Sequence, residues 1–240
     1  VLDNVLLAPT KVQKRPKAEV QQEAEALLAQ LQSGATYTVT LDQSSEIQLA
    51  DNLTDTFQPA AGGTFTDVPA THWAAGAVEF VTSQGLLQGT GTSTFAPGQP
   101  MTRAMLVTAL WREAGSPVVN YAMDFDDVDE DQWYTEAVRW AASEGIVTGT
   151  GKGFSPDAAL TRESLAAILF RYAGGQADAD QLGSYADGAG VSAWAREAMN
   201  WAVAQGLITG KSGGRLDPGG TASRAEVSAI LMRYVQSAQA

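Results

Sequence analysis

Apolar side chains recur at helical spacing in three separate stretches of the chain. Counted from a tryptophan in each stretch, apolar residues lie at +4, +5 and +8, and a large aromatic residue lies at +7. This period predicts one face of an amphipathic helix rather than the alternation of a strand. The positions are Ala77, Val78, Val81 and Phe80; Ala137, Val138, Ala141 and Trp140; and Ala198, Met199, Ala202 and Trp201.

A second amphipathic helix is predicted in each stretch, after a loop rich in Gly, Thr and Ser. Its apolar residues follow the i, i+3, i+4 pattern of a buried stripe: Leu106, Ala109 and Leu110; Leu165, Ile168 and Leu169; Val227, Ile230 and Leu231. Predicted N-cap residues precede both helices: Thr71, Asp131 and Ser192 for the first, Thr102, Thr161 and Ser223 for the second.

The loops between the paired helices also repeat. A glycine is placed to end each first helix in a left-handed conformation (Gly85, Gly145 and Gly206). An apolar residue two positions before a proline is predicted to fix each loop to the core (Phe95, Phe154 and Leu216).

The three stretches are copies of one unit. Asp67, Asp127 and Asp187 lie 60 residues apart, and matching Trp, Gly and Arg residues follow in the same order. One helix-loop-helix unit cannot bury two amphipathic faces alone, so we expect the three to share a core. The predicted boundaries are 61–118, 119–178 and 179–240.

Residues 1–60 lie outside the repeat. They begin with a basic stretch (Lys11, Lys14, Arg15 and Lys17) and contain a predicted helix over 18–32 and a strand over 36–41, which pairs with 46–49 as a hairpin. The segment is either an element packed on the repeats or the tail of an upstream domain. The start at Val1 predicts a mature or trimmed fragment.

Composition narrows the possible functions. With 45% apolar and 18% charged residues the chain is globular, and its net charge of −12 argues against general binding of nucleic acid or anionic membranes. It has no cysteine and one histidine, His72, which leaves almost no material for a thiolate site, a multi-histidine metal site or a Ser-His-Asp triad. We therefore expect no catalytic residue, no metal, no cofactor and no membrane insertion.

The ordered motifs resemble the S-layer homology (SLH) domain family. They are an aromatic-x-Asp start, a Trp-initiated helix, a Gly-x-Gly-type loop and a Thr/Ser-Arg helix start, repeated over residues 63–236. The resemblance implies a mainly α fold: three helix-loop-helix repeats in a pseudo-threefold arrangement around a shared core, here beside a small N-terminal α+β segment. It also implies grooves between neighbouring repeats.

The same resemblance implies an extracellular function. Its members anchor non-covalently to the bacterial cell wall, and the expected partner is a pyruvylated secondary cell-wall polysaccharide or another peptidoglycan-linked polymer, bound by a monomeric fragment. Two alternatives stay open: a protein-interaction module of a surface layer, and part of a wall-glycan enzyme whose catalytic domain lies outside this chain.

The first candidate ligand-binding residues are the arginines that begin the second helices: Arg103, Arg162 and Arg224. A positive charge is unfavourable at a helix N-terminus, so its recurrence in every copy indicates a function. A guanidinium binds a carboxylate, such as that of a pyruvate ketal, through two hydrogen bonds. The alternative is an ion pair within the protein. The glutamate of the family's Thr-Arg-Ala-Glu motif is present only in the third copy, as Glu226, where it completes a predicted capping box.

The remaining candidates each have two possible roles. Loop glycines either bring bare N–H groups to a sugar or form a tight turn. The tryptophans either stack on a sugar or pack in the core, and the core is favoured. The aspartates either accept sugar hydroxyls or hold a turn, and the turn is favoured. The residues are Gly89, Gly91, Gly149, Gly151 and Gly210; Trp73, Trp133 and Trp194; Asp67, Asp127 and Asp187.

Two further features distinguish the copies. Six acidic residues lie within 124–131, but Gln132 and Val138 replace the glycine and glutamate of a calcium loop, so a solvated acidic loop is favoured over a metal site. The first two copies share Gly-Thr-Gly in the loop, whereas the third has a divergent segment over 211–215. We expect the grooves lined by the first two loops to bind alike and the third to differ or be vacant.

Overall fold

The computed structural model describes residues 65–149, 153–176 and 179–238. By its contacts the chain divides into two units, Val1–Thr56 and Phe57–Ala240, and every described residue belongs to the second. The predicted basic start, helix and hairpin of residues 1–60 lie outside the described residues.

Each repeat contains two α-helices, as the periodicity predicts. They are α1 Ala75–Ser83, α2 Arg103–Glu113, α3 Thr135–Ser143, α4 Arg162–Tyr172, α5 Arg196–Ala204 and α6 Arg224–Ala238. Three short 3-10 helices precede α5: Leu182–Ser184, Gly188–Gly190 and Ala193–Ala195. In the described part of the chain, β pairing is limited to isolated bridges. The prediction of a mainly α fold is confirmed.

The second helix of each repeat begins at its predicted cap. The hydroxyl oxygens of Thr102 and Thr161 each accept a hydrogen bond from the N–H three residues on, at 3.2 Å. Ser223 does the same for Glu226 at 3.2 Å, and the Glu226 carboxylate accepts from the Ser223 N–H at 2.9 Å. The capping box predicted for the third copy is confirmed.

The predicted caps of the first helices are wrong. Helices α1, α3 and α5 begin later than predicted, and the residues before them make no side-chain cap hydrogen bond. Turn residues, and in the third copy the 3-10 helix Ala193–Ala195, occupy the predicted first turn instead. The repeat tryptophan therefore precedes its helix. The residues concerned are Thr71, Asp131 and Ser192.

The predicted apolar faces form the core. Their aliphatic residues are buried in all six helices, and the three apolar loop residues Phe95, Phe154 and Leu216 have no exposed surface. The glycines that end the first helices have φ of 69°, 69° and 67°, as predicted for left-handed C-terminal residues (Gly85, Gly145 and Gly206).

The repeat aspartates hold each loop to the start of its own repeat. The Asp67 carboxylate accepts hydrogen bonds from the N–H groups of Phe95 at 2.9 Å and Ala96 at 2.7 Å. The same pair of bonds occurs in the other copies, from Phe154 and Ser155 to Asp127 and from Leu216 and Asp217 to Asp187. The aspartates therefore fix a distant loop, rather than the local turn before the first helix that the sequence favoured.

These hydrogen bonds predict a loss of stability in acid. The N–H of Phe95 is the main cause that lowers the pKa of Asp67. Burial raises the pKa of Asp187, but the N–H groups of Leu216 and Asp217 outweigh it and the pKa is lowered. A carboxyl with a lower pKa in the folded chain stabilises the fold above its unfolded pKa, and this stabilisation is lost as pH falls through the folded pKa.

We therefore expect the melting temperature of the wild-type protein to fall steeply below about pH 4. The Asp67→Asn variant should start lower at neutral pH and fall less on acidification, because it lacks one of the groups that titrate. Circular dichroism melts between neutral and acidic pH measure both slopes. Asp126→Asn, which removes an exposed carboxylate, is the control and should follow the wild type. Parallel curves for Asp67→Asn and wild type would contradict the prediction.

The repeats contact one another in a closed cycle. Helix α2 packs against α3, α4 against α5, and α6 returns to pack against α1. Isolated bridges follow the same cycle, joining Thr102 to Ala159, Thr161 to Thr221 and Pro100 to Ser223. This closure excludes a linear solenoid, in which the first and third repeats would be apart. Rotation by about a third of a turn between repeats stays a prediction.

Candidate functional site

The arginines that begin the second helices each join two repeats. Each Nε donates to the carbonyl of the buried loop residue of another repeat, and each Nη2 donates to a second carbonyl of the same loop. The pairs are Arg103 with Phe154 (2.9 Å) and Thr148 (3.4 Å), Arg162 with Leu216 (2.6 Å) and Thr209 (3.2 Å), and Arg224 with Phe95 (2.8 Å) and Gln88 (2.6 Å).

The sequence predicted that these arginines bind either a ligand carboxylate or a carboxylate within the protein. The observed contacts differ from both. Carbonyl oxygens, rather than a protein carboxylate, are the main partners. Among the described residues, Arg162 has a carboxylate within 4 Å, with Nη1 3.8 Å from Glu226 Oε1, whereas Asp127 and Asp67 interact with Arg103 and Arg224 electrostatically. The guanidinium groups of Arg103 and Arg224 also lie 4.8 and 4.3 Å from the ring centroids of Phe154 and Phe95. The arginines are therefore parts of the fold before any ligand binds.

A second set of arginines was missed in the sequence. They lie nine residues after the first set, on α2, α4 and α6, and their Nη1 atoms donate to loop carbonyls of their own repeat. The pairs are Arg112 with Leu86 (3.3 Å), Arg171 with Ile146 (3.5 Å) and Arg233 with Leu207 (2.9 Å). Their recurrence at one position in all three copies was the available signal.

Both sets of arginines meet in grooves between the repeats. The groove here called groove two encloses about 200 Å³ and is lined by Arg103 of the first repeat, Trp194 of the third, and loop and α4 residues of the second. The second-repeat residues are Val147, Thr148, Gly149, Ser164, Ala167, Ile168 and Arg171. All three repeats thus contribute to one site.

Groove three, built from the corresponding positions one repeat further on, encloses about 130 Å³. It combines Arg162 of the second repeat and Trp73 of the first with Leu207, Ile208, Thr209, Gly210, Lys211, Glu226, Ala229, Ile230 and Arg233 of the third. The two grooves therefore share an arginine from the preceding repeat, an arginine from their own, and a tryptophan from the next.

The corresponding arginines at the first repeat make the same two contacts. Arg224 reaches its loop through the carbonyl of Gln88 at 2.6 Å, and Arg112 bonds the same loop at Leu86. Trp133 is the tryptophan that corresponds to those of the other grooves.

The prediction that the tryptophans pack in the core is wrong. Trp73, Trp133 and Trp194 are 66%, 59% and 58% exposed. Because each precedes its helix instead of starting it, its indole is not on the helix face that the core buries. The exposed indoles of Trp73 and Trp194 instead form part of grooves three and two.

The candidate glycines serve packing as well as access. Gly149 lines groove two and Gly210 lines groove three. A Cβ atom at Gly89, Gly149 or Gly210 would lie 2.7, 2.9 or 2.8 Å from Cε1 of the aromatic residue that begins the same repeat, Phe65, Phe125 or Tyr185. A Cβ at Gly91 would lie 2.7 Å from Thr94 Oγ1, and Gly151 lies outside the described residues.

The grooves differ in charge. Two arginines and no carboxylate line groove two. In groove three, the Glu226 carboxylate lies 3.8 Å from Arg162 and 3.2 Å from Lys211, and Lys211 also pairs with Asp217 at 2.9 Å. Burial lowers the pKa of Arg103 and the charge of Arg171 lowers it further, so the two cations of groove two act on each other.

Other kinds of site find less support among the described residues. The aspartates Asp67, Asp127 and Asp187 bind loop N–H groups and line neither groove two nor groove three. Over residues 65–149, 153–176 and 179–238, no three acidic or histidine side chains group as ligands of one metal ion. None of the helices in those ranges has the length and apolar character that crossing a bilayer requires.

The protein is an α-helical module whose open, cationic grooves are each built from three repeats. These features are typical of repeat proteins that bind ligands between their repeats. Within that class, the chain belongs to the S-layer homology domain family, whose model matches residues 64–104, 124–166 and 184–228. Domains of this family anchor S-layer proteins and cell-surface enzymes to the cell wall, and the protein belongs to the bacterial cell surface.

Proteins similar to this chain include both S-layer proteins and enzymes. The chain is 28% identical to the S-layer protein sap of Bacillus anthracis over 72% of this chain and 21% of that protein. It is 30% identical to an amylopullulanase of Thermoanaerobacterium thermosulfurigenes over 70% of this chain and 9% of the enzyme. The chain thus spans about a fifth or less of these two relatives. An undecaheme cytochrome from the S-layer of Carboxydothermus ferrireducens matches 57% of this chain and 21% of its own with 24% identity and a TM-score of 0.31.

Proposed function

We propose that this module binds an anionic cell-wall glycan, a pyruvylated secondary cell-wall polysaccharide linked to peptidoglycan, and has no catalytic role of its own. The observation that carries the proposal is groove two. Arg103, Arg171 and the exposed indole of Trp194 line it, and no carboxylate does.

The charge of the groove supports an anionic ligand. The whole chain carries −12, so two arginines without a carboxylate among the groove-lining residues form a local cationic site on an acidic protein. Guanidinium groups bind carboxylates through planar, charge-assisted hydrogen bonds, which matches the carboxylate of a pyruvate ketal. A net acidic surface also disfavours nucleic acid, which needs extended Lys and Arg contacts.

The remaining lining supports a sugar. Trp194 presents an aromatic surface, and a pyranose ring has an apolar face that packs on indole. Gly149 removes a side chain from the groove wall and leaves its backbone accessible. A shallow groove with one aromatic, two cations and bare backbone suits one charged saccharide unit of a longer polymer.

The lining of groove three supports a weaker affinity for an anionic ligand than that of groove two. Its Arg162 and Lys211 already lie near Glu226, so an incoming carboxylate competes with a protein carboxylate for the same cations. In groove two the corresponding position is Ser164. The third groove is therefore proposed to bind the anionic unit more weakly.

The test compares a pyruvylated monosaccharide with its unpyruvylated parent by calorimetric titration, beside co-sedimentation with purified wall sacculi. If the carboxylate contributes about 1.5–3 kcal/mol, the parent should bind at least about tenfold more weakly. Mild acid treatment, which removes the polymer from sacculi, should abolish co-sedimentation.

Two results would contradict the proposal in different ways. Equal affinity for both sugars would mean that the carboxylate is not recognised. Undiminished binding to acid-treated sacculi would point to peptidoglycan or to a surface-layer protein as the partner. Hydrolysis of wall glycan by the chain alone would support the alternative of an enzyme.

A further inference from the structure

A buried carboxylate of the second repeat bonds to the third repeat. Glu163, the second residue of α4, is 9% exposed. Its Oε2 accepts a hydrogen bond from the N–H of Ser192 at 3.0 Å, and its Oε1 accepts one from the Ser192 hydroxyl at 2.9 Å. The first turn of a helix also favours a negative charge. These contacts explain how a carboxylate is accommodated with so little exposure to water.

The segment that Glu163 holds carries the tryptophan of groove two. Ser192 directly precedes the 3-10 helix Ala193–Ala195, and that helix packs against α4. Trp194 stands on the 3-10 helix with 58% of its surface exposed, and it lines groove two. Residues of α4 line the same groove. Glu163 therefore joins the helix that forms the groove wall to the segment that presents the groove's indole.

The other repeat junctions lack this connection. The position of Glu163 on α4 corresponds to Ala104 on α2 and Ala225 on α6, and an alanine side chain cannot accept a hydrogen bond. The tryptophans at those junctions, Trp133 and Trp73, lie in turns rather than in a 3-10 helix. The glutamate and the 3-10 helix thus occur together, at the junction that builds groove two.

We propose that Glu163 is a positioning residue of groove two, which holds Trp194 in the orientation that packs on a bound sugar. The inference rests on the proposed function, because it assigns the indole to a saccharide. An exposed indole is oriented mainly by the backbone that carries it, and the two bonds to Ser192 fix that backbone. Fixing it before the ligand arrives reduces the entropy that is lost on binding.

The experiment follows Trp194 by fluorine NMR of the full chain labelled with 5-fluorotryptophan. Single Trp→Phe substitutions assign the resonances, and the probe is the pyruvylated monosaccharide. Two variants of equal charge are compared, Glu163→Ala and Glu163→Gln, so that the loss of a negative charge near the groove affects both alike. The glutamine keeps a carbonyl oxygen that accepts from Ser192, whereas the alanine reproduces the other repeat junctions.

Glu163→Ala should shift the Trp194 resonance of the free protein and bind the sugar in groove two about three- to tenfold more weakly than Glu163→Gln. Ser192→Ala removes one of the two bonds and should shift the Trp194 resonance less. The Trp73 resonance is the internal control and should keep its position. Glu130→Ala, which removes an exposed carboxylate of the second repeat, should leave the Trp194 resonance and groove two affinity at their wild-type values.

Equal groove two affinities for Glu163→Ala and Glu163→Gln would overturn the inference. So would a lower melting temperature of Glu163→Ala without a change in the Trp194 resonance, because the carboxylate would then only stabilise the fold. If Glu163→Ala does not fold, an unchanged Trp194 resonance in Ser192→Ala would overturn it. If the Trp194 resonance of the wild type does not respond to the sugar, the proposed function of groove two fails. The Trp194 shift in the sugar-free variants is measured independently of that result.

Discussion

Replacing Arg162 by alanine is expected to lower the free energy of unfolding by about 3–5 kcal/mol. The Arg162 side chain is 4% exposed, and it donates to the carbonyls of Leu216 at 2.6 Å and Thr209 at 3.2 Å. Alanine removes both charge-assisted hydrogen bonds and leaves the carbonyl of a buried residue without its partner. These bonds join the second repeat to the third, so their loss weakens the closed cycle of repeats.

Urea unfolding followed by circular dichroism measures the effect. Arg162→Lys should recover only part of the loss, because an ammonium group does not reproduce the planar, forked geometry of the guanidinium. Arg215→Ala is the matched control, since Arg215 is exposed and its pair with Asp187, at 3.5 Å, is a surface ion pair worth less than about 1 kcal/mol. A loss below that of Arg215→Ala would mean that the inter-repeat bonds do not support the fold.

This structural role changes how binding experiments must be designed. An alanine substitution at Arg103, Arg162 or Arg224 removes bonds between repeats as well as a groove cation, so weaker binding has two explanations. Arg171 avoids the problem. Its side chain is exposed, its carbonyl contact to Ile146 is long at 3.5 Å, and it stays within its own repeat.

Replacing Arg171 by glutamate is expected to weaken sugar binding in groove two by about a hundredfold or more, with a small change in stability. The loss of one charge-assisted contact accounts for about 1.5–3 kcal/mol. The new carboxylate would also lie beside Arg103 and compete with the ligand, as Glu226 does beside Arg162 in groove three. Fluorine NMR titration of the 5-fluorotryptophan-labelled chain with the pyruvylated sugar measures binding in groove two through Trp194.

Arg139→Glu provides the charge-matched control. Arg139 belongs to the same repeat and pairs with Glu136, but it does not line groove two. The same change of net charge there should leave the groove two titration within about twofold of the wild type, because the half-buried Arg139 lies outside the groove and salt screens its charge from the ligand. Equal losses in both variants would mean that net charge governs binding. No loss in Arg171→Glu would remove groove two from the proposed site.

Local sequence patterns predicted the six helices and the N-caps of the second helix in each repeat. The apolar period of α2, α4 and α6, the Ser223–Glu226 capping box and the left-handed glycine after each first helix depend on residues within a few positions of one another. Contacts between residues this close in the chain follow from the local sequence pattern, so the sequence alone predicts them. Recurrence in three copies also identified the family.

The grooves depend on contacts that no local pattern records. Arg224 bonds Gln88 across 136 positions, and groove two takes one arginine and one tryptophan from two different neighbouring repeats. The sequence also misplaced the tryptophans, because a three-residue error in the helix start moves a side chain from the buried face to the surface. Helical periodicity specifies which face is apolar. Only the closed packing of three repeats decides which side chains share a groove, since that depends on distances between segments far apart in the chain.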